Sequence, residues 1–60
     1  MDKIKSIEYI IVNLQSVQGD LQDILSELDF SQEEYLTISK ANRLLATAIE
    51  LLNSISQSNI

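Results

Sequence analysis

Phe30-Ser31-Gln32-Glu33-Glu34-Tyr35 decides the fold of this chain. Ser31 followed three residues later by Glu34 is a capping box. The serine hydroxyl can accept from the N–H of Glu34, and the Glu34 carboxylate from the N–H of Ser31. Phe30 and Tyr35 stand where a hydrophobic staple would bracket that start. A helix therefore begins at about Gln32, and whatever precedes it must turn. Apolar residues at heptad spacing lie on both sides, so the chain reads as all-α: one two-helix antiparallel hairpin with coiled-coil-like patterning.

Upstream, the pattern predicts helix 1 over about residues 2–28. Ile4, Ile11, Gln18 and Leu25 share heptad position a; Ile7, Leu14, Leu21 and Leu28 share d; Ile10, Val17 and Ile24 share g. A three-position stripe suits a bundle helix better than a two-stranded seam. At 1.5 Å per residue this helix is about 40 Å long. Gln18, the one polar residue in the stripe, is read as lying at its edge beside Val17. Gly19 falls on the outer face, a tolerated weakness of about 1 kcal/mol relative to Ala.

A turn over 29–31 leads to helix 2, about 32–55, followed by a polar, Ser/Asn-rich tail, 56–60, of the kind that frays. The expected inward stripe of helix 2 is Ile38, Ala41, Leu45, Ala48, Leu52 and Ile55. The small Ala41 and Ala48 would allow helix 1 to approach closely. Tyr35 and Ile49 flank one edge, Leu44 and Leu51 the other. From Leu44 onward this apolar arc is wider than one facing helix covers, so oligomerisation or a partner chain should complete the fold.

Composition points the same way. Sixty residues beginning with Met1 read as a whole small protein of one domain, marginal on its own. Small scaffolds lean on disulfides, metals or association. With no Cys and no His, disulfides and the commonest zinc ligands are excluded, which leaves association. Hydrophobic residues form 45% of the chain, too many for a disordered segment. The longest apolar run, Tyr9-Ile10-Ile11-Val12, is far short of a membrane span, and no signal-peptide core follows the N-terminal lysines. A cytoplasmic protein is the expectation.

Net charge is −5, against phosphate-backbone binding. Asp20, Asp23, Glu27, Asp29, Glu33 and Glu34 gather about the turn, and no base lies between Lys5 and Lys40. This reads as a solvated tip, with Glu33 and Glu34 favourable at a helix N-terminus. No catalytic, cofactor or metal site is expected: base and nucleophile types are missing, there is no Gly-rich phosphate loop, and the acids lack calcium-loop spacing. Two surface patches are the candidate contact sites. One is Leu44, Leu51 and Ile55. The other is Tyr9 and Val12, three residues apart on one outer face.

Glu33-Glu34-Tyr35, then Ile38, Lys40, Arg43, Leu45, Ala48, Ile49, Leu51 and Leu52, resemble the second helix of a known family. It comprises the small needle co-chaperones of type III secretion systems, the YscE/PscE/EscE-like subunits. The resemblance covers about residues 32–55; helix 1 matches only in pattern, and its acidity, isoleucine content and Gly19 depart from the family. It implies a non-enzymatic co-chaperone of a virulence apparatus. Such a subunit binds a larger helical-repeat chaperone and so helps keep the needle subunit soluble in the cytoplasm before export, with a homodimer possible when alone. Two other classes compete. Rop-type RNA-binding hairpin dimers need a basic face, for which only Lys3, Lys5, Lys40 and Arg43 are available. A small acidic homodimeric inhibitor or regulator, phage-encoded for instance, would use the acidic tip and be steered electrostatically to its target.

Overall fold

A carboxylate begins the first helix. Asp2 stands in extended conformation and its Oδ1 accepts from the Ile4 N–H at 2.9 Å. The Ser6 hydroxyl donates to the Asp2 carbonyl at 3.0 Å. From there the computed structural model, which describes residues 2–58, runs as two helices: α1, Lys3–Glu27, and α2, Gln32–Ser58. The last bond of α1 runs from the Leu28 N–H to the Ile24 carbonyl at 2.9 Å, after which the backbone extends. The connection is residues 28–31, so the first helix stops one residue before the expected boundary.

Both arms of the capping box are present. The Ser31 N–H donates to Glu34 Oε1 at 2.9 Å, and the Glu34 N–H to Ser31 Oγ at 3.1 Å. The Tyr35 N–H donates to the Ser31 carbonyl at 2.9 Å, the first bond of the α2 ladder. Phe30 is half-buried and shares a pocket with Thr37 and Ile38; Tyr35 lines a different one with Gln22 and Leu25.

The helices pack as an antiparallel hairpin of 45 × 16 × 13 Å. Its radius of gyration is 14.1 Å, against roughly 10 Å for a compact 60-residue domain. Only Ile11, 6% exposed, and Ile49, 7% exposed, are buried among the described residues. On α1, Ile4, Ile7, Ile11, Leu14, Gln18, Leu21 and Leu25 are all buried or half-buried, the expected a and d positions. Leu28, beyond the helix end, is exposed, as are Ile10 and Val17 of position g. Gln18 is half-buried, as are Leu14, Leu21 and Leu25 of the same stripe, and it borders an open pocket at the stripe's polar side.

α2 is turned from the expected orientation. Its inward residues are Ile38, Asn42, Leu45, Ile49, Leu52 and Ser56, while Ala41 and Ile55 are exposed. Half the stripe moves by one residue, a rotation of roughly 50°. The expectation put small residues inward for close approach; burial of large side chains opposes it. Burying Ile49 in place of Ala48 removes about three more carbons from water, worth about 2.4 kcal/mol at 0.8 per methylene. Taking in Asn42 in place of Ala41 costs about 1–3 kcal/mol when its polar atoms are unpaired. Exposing Ile55 and taking in Ser56 gives back about the same 2.4 kcal/mol, so burial of apolar carbon within the hairpin does not by itself favour the observed rotation. The rotation also corrects the tail: residues 56–58 are helical, Ser56 lies in the seam, and Asn59 and Ile60 fall outside the described residues.

Side chains that favour turns are tied back to the helix. Thr37 Oγ1 donates to the Glu33 carbonyl at 2.9 Å, Thr47 Oγ1 to Arg43 at 3.3 Å, and Ser26 Oγ to Asp23 at 2.9 Å. A Cβ at Gly19 would meet nothing within 4 Å. Gly19→Ala should therefore stabilise the fold by about 1 kcal/mol, seen as a higher thermal midpoint by circular dichroism. Ser31→Ala, which removes one arm of the capping box, should cost about 1 kcal/mol in chemical denaturation.

Candidate functional site

Each helix of the pair has two flanks beside its seam. An antiparallel pair carries a local two-fold axis normal to the plane of its helices, so equivalent heptad positions of α1 and α2 emerge on the same flank. One flank is polar. Gln18, Gln22, Ser39, Asn42, Arg43 and Ala46 line one open pocket there. The opposite flank holds Ile10, Val17 and Ile24 from α1 and Ala41, Ala48 and Ile55 from α2, with Ser6, Asn13 and Asp20 of α1 at its outer edge. The hairpin is thus amphipathic as a unit.

Leu44 and Leu51 extend the apolar flank outward and are 61% and 65% exposed. Together Ala41, Leu44, Ala48, Leu51 and Ile55 alternate three and four residues apart. They form a second heptad seam on α2, about 100° round the helix from the first. Three of the candidate contact residues, Leu44, Leu51 and Ile55, therefore share one surface. Ala41 belongs to it too and is exposed, while Ala48, half-buried, lies between this surface and the α1 contact. The signal for this was the pair of doublets Leu44-Leu45 and Leu51-Leu52, seven residues apart. Adjacent residues on a helix point 100° apart, so a repeated apolar doublet supplies two seams at once.

Tyr9 and Val12 are 69% and 61% exposed. By helical geometry they lie on the back of α1, away from α2 and from the second seam. Tyr9 edges a shallow, almost wholly apolar depression with Lys5, Ser6 and Ile10. The five candidate residues thus make two separate patches. The acidic tip adds a third feature: Phe30, Ser31, Glu33, Glu34, Thr37 and Ile38 line an open pocket beside the cap. Among the described residues no group of three His, Cys, Asp or Glu side chains is placed to hold a metal ion, and no helix is long and apolar enough to cross a membrane.

Asn42 is the one polar break in the α2 seam before its C-terminal turn, and its Oδ1 is buried with no hydrogen-bond partner. Gln18 breaks the α1 seam and lines the same pocket. A polar position in a heptad seam gives up stability and penalises other registers. The chain matches no protein-family profile, no curated protein and no solved structure.

Asn42→Leu should raise stability by about 1–3 kcal/mol, because it replaces a buried, unpaired carbonyl with apolar volume. Urea unfolding followed by circular dichroism checks this; a loss of stability would show that the amide is satisfied in solution.

Proposed function

We propose that this protein is a non-enzymatic docking subunit that works through the second seam of α2. Its occupant is a larger helical-repeat chaperone, and the two together hold a type III secretion needle subunit soluble in the cytoplasm before export. What supports this reading is one heptad row in which Ala41, Leu44, Leu51 and Ile55 are exposed and Ala48 is half-buried. That row lies on the helix whose residues carry the resemblance to the needle co-chaperones. An amphipathic helix laid into a groove of helical repeats is read through anchors at this spacing.

The physical logic is mutual stabilisation. A compact monomer of 6.8 kDa exposes roughly 3,950 Å². This chain exposes 4825 Å². The excess, about 900 Å², is close to the ~800 Å² that each partner contributes to a stable interface. A hairpin with that much surface to spare gains from docking, and so does a partner whose groove it fills.

Co-expression with the candidate chaperone and needle subunit tests the proposal. The wild type should co-purify with both. Leu51→Asp places a charge at the centre of the seam and should abolish co-purification while the helical spectrum persists. Normal capture by that variant would refute the face assignment; failure of the wild type to bind would refute the partner.

A further inference from the structure

We infer that in the isolated protein a second copy of the chain covers the second seam, packed head to tail so that the two α2 helices run antiparallel. The inference rests on the same face as the docking proposal but not on that partner's identity.

Pattern comes first. Along the seam, small residues (Ala41, Ala48) alternate with large ones (Leu44, Leu51), and Ile55 ends the row. When two such rows run antiparallel, each small position can lie against a large one. Ala41 then meets Leu51 of the second copy, and Ala48 meets Leu44. This register centres on residue 46, next to the middle of α2, Gln32–Ser58. It therefore overlaps the two helices almost end to end. Maximal overlap selects this register. A shift of one heptad still sets an alanine against a leucine, but it either sets Leu44 against Ile55 or sets Ala48 and Leu51 against Thr37 and Glu34, and it shortens the contact.

Area comes second. The broad side of the hairpin measures 45 × 16 Å, close to the ~800 Å² per partner that a stable interface uses. Stacking two hairpins on their apolar flanks also covers Ile10 and Val17 of α1, which the hairpin leaves exposed. The product is a four-helix bundle with a closed core.

Charge sets the direction. Asp20, Asp23, Glu27, Asp29, Glu33 and Glu34 lie toward the turn, offset in part by Lys40 and Arg43, while at the opposite end Lys3 and Lys5 balance Asp2 and Glu8; the turn end is the more negative. Stacking tip on tip would bring both acidic clusters together. The head-to-tail arrangement places each acidic end beside the lysines of the other copy, as favourable encounters require.

Sedimentation of the isolated wild type should give twice the 6.8 kDa chain mass. Leu51→Asp and Leu44→Asp, still helical by circular dichroism, should return it to the mass of one chain. Val12→Asp, on the back of α1, should leave the dimer intact. A spin label on Lys5→Cys, in a chain with no native cysteine, reports orientation by pulsed electron resonance. Head-to-tail packing separates the two labels by most of the 45 Å length; tip-on-tip packing brings them to one end at less than half that distance. A single-chain mass at every concentration, a dimer that survives both leucine substitutions or is lost with Val12→Asp, or a short label distance would each overturn the inference. None of these readouts needs the chaperone, so they fail independently of the docking proposal.

Discussion

Two helices can share only one seam. Each presents a stripe of roughly 100° to the other, and every apolar residue outside that stripe stays in contact with water or with something else. This constraint governs the rest of the molecule. It explains why a chain with 45% hydrophobic residues buries only Ile11 and Ile49 to below a tenth of their surface among the described residues. It also explains an elongated particle whose radius of gyration is 14.1 Å. The capping box at Ser31 and Glu34 fixes where the chain reverses. It does not enlarge the core.

The constraint makes the rotation of α2 consequential. With seven apolar positions between Leu44 and Leu52, only some can face α1. The structure commits Leu45, Ile49 and Leu52 inward and leaves Leu44 and Leu51 outward. The choice admits Asn42 to the seam with a buried carbonyl oxygen that finds no partner. Such a site is poor for stability and useful for register, because an amide against leucine or isoleucine is worse still. Gln18, half-buried in the facing helix and lining the same pocket, belongs to the same polar interruption.

Charge and apolar surface are segregated along different directions. The acids concentrate toward the turn, along the length, while the apolar seam runs the length of one flank. On the α2 side a partner approaching the flank meets Ala41, Leu44, Ala48, Leu51 and Ile55, none of them charged, and the charge gradient along the length can still orient it. Tyr9 and Val12 lie on the back of α1, where Tyr9 meets the edge of the apolar flank at Ile10.

The order and approximate extent of the helices, the turn and its hydrogen-bonded cap were legible in the sequence, because capping and heptad spacing are local properties of the backbone. Leu44, Leu51 and Ile55 were legible as surplus apolar surface for the same reason. The sequence could not say which of two overlapping heptads on α2 would face α1. Ala41 and Ala48 or Asn42 and Ile49 each complete an acceptable row, and the two differ by a balance of opposing terms, each about 2 kcal/mol. Only the packing of α2 against α1 decides that balance, because it sets which side chains the facing helix covers: Asn42, Ile49 and Ser56 turn inward, and Ala41 and Ile55 stay exposed.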